Sequence, residues 1–282
     1  MAAVRVETTA VAVALMRALE ADVPTGQRLL DDPVSGRLLT GLPALIARHR
    51  AARVALGRLA EVAMPGMRGT AVCRTRVVDD WCRSALAAGA AQAVIVGAGL
   101  DTRPYRLAEL ATVPVWEVDL PSTQALKRAA LARALDTPPA NVRYLSADLN
   151  AGLPGGGEHG AGFDPGLPTL VLFEAVAQYL PEASVSQVFD WAGSLPGGSR
   201  LIFTYLPERV IEQRACGARR YGWLSAFDPE RLAAVLAGHG LVLRDDLGAA
   251  DYPARYPELG GRRLSLREIE RVAVAEVNPA ST

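Results

Sequence analysis

The chain has 282 residues, half of them hydrophobic, and its 30 basic residues balance its 30 acidic residues. This composition is typical of a globular protein, and the length is enough for one large α/β domain. The charge balance argues against a nucleic-acid surface as the main function, because phosphate binding needs an excess of positive charge.

The N-terminal stretch VETTAVAVALM is apolar, but charged residues flank it and no small-residue cleavage site follows. It is therefore not typical of a signal peptide, and no run approaches the roughly 18 apolar residues that a membrane span requires. The few cysteines and histidines lack the spacing of a zinc site, and sparse cysteines suit a reducing compartment. We expect a cytoplasmic protein with no membrane contact, no nucleic-acid partner and no bound metal.

The first 90 residues have a helical composition. Helices are predicted over 9–20, 42–63 and 71–89. A turn-rich patch lies between the first two, and Asp32, which precedes a proline, predicts a helix start within it. This region contains no candidate strand.

Short apolar runs then alternate with helical stretches. The runs predicted to form strands lie at 93–97, 114–118, 142–145, 168–173, 200–204 and 241–244. The helical stretches between them lie at 103–110, 122–135, 181–194 and 229–239. This alternation favours a largely parallel sheet with helices on both faces, and a last run at 271–277 is compatible with an antiparallel edge strand. We expect a single domain over 1–282, with a helical N-terminal region at 1–90 and the sheet core at 91–282.

The first predicted strand runs directly into a glycine turn, in the sequence AVIVGAGLDTRPYR. Gly97 and Gly99 would let the backbone approach a ligand beyond the carboxyl end of the strand. A dinucleotide fingerprint needs a third glycine where this chain has Thr102, and Asp101 adds a negative charge where phosphates would lie. Both features disfavour NAD and suit S-adenosylmethionine, which has no phosphate.

Acidic residues follow the next two strands. Glu117 and Asp119 end the second run, and an acid at Asp119 can accept hydrogen bonds from both ribose hydroxyls. Asp148 follows the third run, where its carboxylate and the Leu149 amide could bracket an adenine ring. Each acid by itself could instead cap a loop, and a ribose-binding acid is common to folds that bind NAD and folds that bind S-adenosylmethionine.

These motifs together carry a family resemblance. GAGLDTRPYR, EVD, SADL and FEAVAQYL resemble the leucine carboxyl methyltransferase family, and more closely its bacterial polyketide O-methyltransferase branch, of the tetracenomycin carboxyl-methylating type. The resemblance extends to the N-terminal CRTR and the C-terminal REIERVAVAEV, and so covers nearly the whole chain. It implies a class I, Rossmann-like methyltransferase fold with seven strands, a reversed last hairpin and S-adenosylmethionine as cofactor.

The resemblance also implies roles for individual residues. Arg74 would bind the carboxylate of the cofactor's methionine tail, the two glycines would flank that tail, and Asp119 would hold the ribose. Asp148 with Leu149 would bind the adenine. The implied cofactor-binding set is Arg74, Gly97, Ala98, Gly99, Asp119, Leu120, Asp148, Leu149 and Glu174.

The FEAVAQYL segment would adjoin the methyl-transfer cleft. Glu174 would lie beside the amino-acid end of the cofactor, and Tyr179 near the acceptor, so that Tyr179 and Arg74 are the candidate catalytic residues. The family usually has glycine where this chain has Ala175, which puts the tightness of that turn in question.

The resemblance implies a small-molecule acceptor. A carboxylate is already anionic and needs no general base, whereas a phenol would profit from one. No histidine is placed as an obvious base, which favours methylation of the carboxyl group of a polyketide-like aromatic acid. The alternatives are a phenolic hydroxyl acceptor, a protein carboxyl acceptor, an NAD-linked oxidoreductase and a non-catalytic binding module; monomer and homodimer both stay open.

Three further expectations concern the surroundings of the site. Salt bridges to Asp79, Asp80 or Asp101 are favoured over a substrate role for Arg76 and Arg103. The aromatic residues of YGWLSAFDPERL, Tyr221, Trp223 and Phe227, could line an acceptor pocket or form a local core. The helical residues 9–60 are expected to form a lid that excludes water and sets acceptor specificity.

Overall fold

The computed structural model describes residues 2–153, 162–212, 222–262 and 264–278, with side chains from Thr9 onward. Of the residues discussed above, Tyr221 lies outside these ranges. No helix in the described ranges is long and apolar enough to cross a bilayer.

Seven strands form one sheet in the described part of the chain. They are β1 Gln92–Val96, β2 Val115–Asp119, β3 Val142–Ser146, β4 Thr169–Phe173, β5 Arg200–Tyr205, β6 Leu241–Leu247 and β7 Arg271–Val277. The order across the sheet is β3-β2-β1-β4-β5-β7-β6, and neighbouring strands are parallel from β3 to β5. All seven predicted strands are present, and the mostly parallel sheet is confirmed.

The last strand, β7, is antiparallel to both of its neighbours, β5 and β6. It is not the edge strand that the sequence suggested, because the chain returns from β6 and inserts β7 between β5 and β6. Its side chains agree with an interior place, since Val272, Ala273, Val274 and Ala275 are all buried. A run buried on both faces is typical of a central strand.

Eleven α-helices occur in the described ranges. They are α1 Ala2–Ala18, α2 Ser35–Leu38, α3 Gly41–Arg48, α4 Arg50–Ala63, α5 Met67–Ala87, α6 Arg103–Arg106, α7 Pro121–Ala134, α8 Glu182–Gly193, α9 Glu208–Glu212, α10 Leu232–Gly238 and α11 Tyr252–Arg255. The helix predicted over 42–63 is divided into α3 and α4 at His49, which has an extended backbone. The stretch predicted at 103–110 contains the single turn α6 and then a 3₁₀ turn, Ala108–Thr112.

Alternate residues of each strand point to opposite faces, and both faces are buried in the central strands β1, β4, β5 and β7. On β1, Val94 and Val96 join a core with side chains of α8 and α10. Ala93 and Ile95, on the other face, join a second core with α5. This double burial explains why the strands read as continuous apolar runs in the sequence.

The N-terminal helices pack beside the sheet layer, where α1 contacts α2 and α5, and α2 contacts α7. Asp32 lies in the turn before α2, where its Oδ1 accepts the N–H groups of Val34 at 3.1 Å and Ser35 at 2.8 Å, so the expected helix start lies slightly later in the chain, at Ser35. Its Oδ2 accepts the hydroxyl of Thr102 at 2.7 Å, which ties the N-terminal region to the segment after β1.

Candidate active site

The turn after β1 has the conformation that its glycines allow. Gly97 has φ +70°, and a Cβ there would lie 2.4 Å from Val176, so only glycine fits at this position. Gly99 has φ +38°, and a Cβ there would have no neighbour nearer than the Gly97 oxygen at 3.9 Å. The turn therefore packs against Val176 at Gly97, whereas the space beside Gly99 is free of side chains.

Asp119 lies directly against this turn. Its Oδ2 accepts the N–H of Gly99 at 2.6 Å, and its Oδ1 accepts the N–H of Leu120 at 2.7 Å. Ala98, between the glycines, is buried, whereas Asp119 and Leu120 are partly exposed. Five of the predicted cofactor-binding residues thus lie together at the carboxyl ends of β1 and β2.

Asp148 and Leu149 follow β3 at the same edge, since Ser146 is the register partner of Asp119. Asp148 is exposed and accepts the backbone and side-chain N–H groups of Asn150, each at 2.9 Å, and these bonds lower its pKa. The Leu149 side chain is buried in the core. Asp148 therefore presents an ionised carboxylate to solvent beside the turn.

Arg74 and Glu174 meet across the site from two distant parts of the chain. Arg74, on α5, is 5% exposed, and its Nε donates to Glu174 Oε1 at 2.8 Å. Glu174 directly follows β4, and its Oε2 lies 2.5 Å from Nη1 of Arg103. Burial favours a raised pKa for Glu174, but Arg103 and Arg74 outweigh it and hold the pKa below its usual range. Glu174 is therefore an ionised, buried carboxylate.

Arg103 is the centre of a buried ion-pair network. It is 1% exposed, and it also pairs with Asp79 and Asp101, each at 2.7 Å. Burial would raise the pKa of Asp101, but Arg103 and Lys127 bring it to about 2. The predicted salt bridges are confirmed here and at Arg76, which pairs with Asp80 at 3.0 Å.

Sequence reasoning missed three buried charged residues. Arg17, on α1, lies 3.2 Å from Asp32 and donates to the Leu100 carbonyl at 2.7 Å. The sequence feature that could have indicated its burial is that Arg17 is the sole charged residue in TTAVAVALMRAL. Lys127 lies 2.8 Å from Glu117 and donates to the Ala98 carbonyl of the glycine turn at 3.3 Å, so this buried pair supports the turn from inside the protein. Glu270 pairs with Arg74.

Tyr179 lies in a 3₁₀ turn, Ala177–Tyr179, where α1 approaches the site. Burial raises the pKa of Tyr179, and hydrogen bonds with Thr9 and Trp223 oppose this shift only in part. Phe227 instead packs against Phe189, with ring centroids 5.8 Å apart, and belongs to the core. Of the two described aromatic residues considered for an acceptor pocket, Trp223 and Phe227, Trp223 is thus the one beside Tyr179.

The turn that carries Ala175 is tight. Ala175 has φ +58°, the left-handed region, and among the described residues it is the sole non-glycine residue with positive φ. Its N–H donates to the Thr204 hydroxyl at 2.7 Å. The alanine is accommodated in the backbone conformation that glycine adopts without steric cost.

We expect Ala175→Gly to raise the free energy of unfolding by about 0.5–1 kcal/mol, because relief of the left-handed strain exceeds the extra entropy of an unfolded glycine. Chemical denaturation measures the change. The matched control is Ala88→Gly, because Ala88 is exposed and has φ −83°, where glycine relieves no strain. This variant should lower the free energy of unfolding by about 0.5–1 kcal/mol. Equal losses in both variants would contradict the expectation.

These residues suit a ligand that carries an ammonium, a carboxylate and a ribose. Arg74 and Glu174 offer opposite charges side by side, and the open space at Gly99 adjoins the Asp119 carboxylate. The ionised Asp101 next to the turn opposes a pyrophosphate. When bound here, S-adenosylmethionine would therefore find a partner for each of its polar ends, whereas the pyrophosphate of a dinucleotide would lie near the Asp101 carboxylate.

Comparisons with known proteins agree with this arrangement. Residues 10–193 match the leucine carboxyl methyltransferase family. A protein of Mycolicibacterium smegmatis, named as a candidate S-adenosyl-L-methionine-dependent methyltransferase, is 35% identical over 215 residues, which are 75% of this chain and 69% of that protein. A protein of the same description from Mycolicibacterium paratuberculosis is 34% identical over 238 residues, covering 82% of this chain and 70% of its own.

Solved structures show the same fold at low identity. A candidate methyltransferase from Thermobifida fusca superposes with a TM-score of 0.56 at 20% identity, over 80% of this chain and 88% of its own. A DUF574 family protein from Streptomyces avermitilis superposes with a TM-score of 0.55 at 19% identity, over 81% of this chain and 91% of its own. The sheet is thus that of a class I methyltransferase, and the chain belongs to the leucine carboxyl methyltransferase family of S-adenosylmethionine-dependent enzymes.

Proposed function

We propose that the enzyme transfers the methyl group of S-adenosylmethionine to the carboxyl group of a small, polyketide-like aromatic acid and so forms a methyl ester. The support from the site is the protonation state of the two groups proposed to adjoin the transfer cleft. Burial raises the pKa of Tyr179, so this phenol stays protonated at neutral pH, and Arg103 and Arg74 lower the pKa of Glu174, which makes its carboxylate a weak base. Neither group is suited to remove a proton, which favours an acceptor that is already anionic.

The cofactor supplies an electrophilic methyl group on a sulfonium. In this proposal Arg74 holds the methionine carboxylate, Glu174 the ammonium, and Asp119 the ribose. Asp148 and the Leu149 amide bind the adenine. The contribution of these residues is alignment, because a displacement at carbon needs the acceptor oxygen, the carbon and the sulfur in line.

Tyr179 is the proposed acceptor-side residue. Its protonated hydroxyl can donate a hydrogen bond to one oxygen of an acceptor carboxylate and leave the other free to attack. A phenol acceptor would gain less, because it must also lose a proton.

We extend the proposal to the N-terminal helical region, residues 1–90, as a lid on the core at 91–282. Thr9 of α1 is a hydrogen-bond partner of Tyr179, and Arg17 of the same helix reaches the Leu100 carbonyl beside the glycine turn. Both contacts favour a lid over residues 9–60 that closes the mouth of the site and excludes water.

The test uses S-adenosylmethionine with a labelled methyl group and three sets of acceptors: aromatic acids, the matching phenols, and peptides ending in leucine. We expect label in the aromatic acids, released as methanol by mild alkali, because esters hydrolyse and aryl ethers do not. Alkali-stable label would instead identify a phenolic hydroxyl as acceptor. Label confined to the peptides would identify a protein substrate.

A further inference from the structure

Glu270 is a buried acid that the family resemblance does not assign to the cofactor site. It directly precedes β7 and is 8% exposed. Its Oε2 accepts Nη1 of Arg74, and its Oε1 accepts Nε2 of Gln178 at 3.1 Å and the hydroxyl of Thr204 at 3.0 Å. Both oxygens of the carboxylate therefore have partners within the protein.

The partners of Glu270 lead to the Glu174 side of the site. The Thr204 hydroxyl that donates to Glu270 also accepts the N–H of Ala175, which follows Glu174 directly. Gln178 belongs to the turn that carries Tyr179. A single carboxylate thus joins the arginine on α5 to the turns after β4 and the strand β5.

The two acids divide the guanidinium of Arg74 between them. Glu174 takes Nε with one oxygen, while Glu270 takes Nη1 from another direction. The second oxygen of Glu174 lies 2.5 Å from Nη1 of Arg103. The contact of Glu270 with Nη1 fixes the orientation of the guanidinium; without it, Arg74 would be free to turn and present Nε and Nη2 together to Glu174, and a two-point pair is the preferred geometry of a guanidinium and a carboxylate.

A two-point pair would bury the groups that the cofactor needs. The N–H groups of Arg74 would be bonded to Glu174 and not to the carboxylate of the cofactor. Glu174 would have fewer free acceptor sites for the ammonium. We propose that Glu270 is a positioning residue that holds Arg74 in a one-point contact with Glu174, so that both face the methionine tail of the cofactor. This inference rests on the proposed role of Arg74.

The test measures the Kd of S-adenosylhomocysteine by calorimetry, with the melting temperature of the ligand-free protein beside it. Glu270→Ala should raise the Kd roughly tenfold, as expected for loss of charge-assisted hydrogen bonds. Glu270→Gln should stay within about threefold, because an amide oxygen can still accept from Arg74. The Gln178 Oε1, which has no hydrogen-bond partner in the described chain, can receive the new N–H after a flip.

The matched control is Glu276→Ala on the same strand. Glu276 pairs with Arg200 at 3.4 Å and Arg244 at 2.8 Å, away from Arg74, so the Kd should not change. If Glu270→Ala does not fold, Glu270→Asp replaces it, since the shorter side chain cannot reach both Arg74 and Thr204, and the Kd should rise at least about threefold. An unchanged Kd in Glu270→Ala, or in Glu270→Asp where it replaces Glu270→Ala, would overturn the inference whatever the melting temperature.

A second arm separates this inference from the role of Arg74. Arg74→Lys keeps the charge but loses the planar fork, and should weaken binding roughly tenfold. In that background Glu270→Ala should change the Kd by less than about threefold, because the group that it positions is gone. The same tenfold loss in both backgrounds would overturn the inference alone. An unchanged Kd in Arg74→Lys would remove the proposed role of Arg74 itself.

Discussion

Arg103→Ala is expected to lower the free energy of unfolding by about 3–5 kcal/mol, the usual cost of removing one partner from a buried ion pair. The guanidinium is 1% exposed and touches the carboxylates of Asp79, Asp101 and Glu174. Asp79 keeps a partner in Arg106, but Asp101 would remain buried without its main counter-ion. Chemical denaturation of the ligand-free protein measures the loss.

Arg83→Ala is the matched control for this prediction. Arg83 also contacts two acids, Asp80 and Glu109, each at 3.3 Å, but its side chain is 42% exposed. Solvent screens such pairs, so the loss should stay within about 1 kcal/mol. Arg103→Lys should lie between the two, because it keeps the charge without the fork. Equal losses at Arg103 and Arg83 would show that the buried network contributes little to stability.

Asp119→Ala is expected to weaken S-adenosylhomocysteine binding by about 1–3 kcal/mol, if the carboxylate accepts both ribose hydroxyls. The side chain also accepts the Gly99 N–H at 2.6 Å, so its removal would loosen the turn that faces the ligand. Both effects act in the same direction on affinity. Calorimetry measures the change in Kd.

Asp251→Ala separates ligand binding from turn stability. Asp251 accepts the N–H of Gly248 at 2.7 Å in a turn between β6 and α11, and so resembles Asp119, but it follows β6, which four strands separate from β2 in the sheet. It should lower the melting temperature slightly and leave the Kd unchanged. Asp119→Ala with an unchanged Kd would remove the ribose assignment.

The strands were predictable because burial on both faces leaves a simple trace in the sequence. The run predicted at 93–97 is β1 Gln92–Val96, and that at 271–277 is β7 itself. An apolar run in the sequence does not indicate which strands lie beside it in the sheet. The edge position expected for β7 was wrong because the order of strands depends on how the chain returns, and not on the composition of the run.

Half of the candidate site follows from one rule of topology. Parallel strands end at the same edge of a sheet, so residues at or just after the ends of β1, β2, β3 and β4 must meet there. Asp119 is the last residue of β2, and Gly97, Asp148 and Glu174 follow β1, β3 and β4. The rule misses Glu270, which precedes its strand. Because β7 is antiparallel, its first residue, Arg271, pairs with Tyr205 at the end of β5, and Glu270 arrives at the same edge from the other direction.

The sequence by itself determined the elements, the glycine turn and the acids at the ends of the parallel strands, because each depends on local conformation and on the period of burial. The tertiary structure alone decided which charges are buried together. Arg17, Arg74 and Arg103 meet their acids from three different helices. The local sequence does not distinguish a long charged side chain that faces water from one that pairs with a buried carboxylate, because the packing of distant elements decides which of the two occurs.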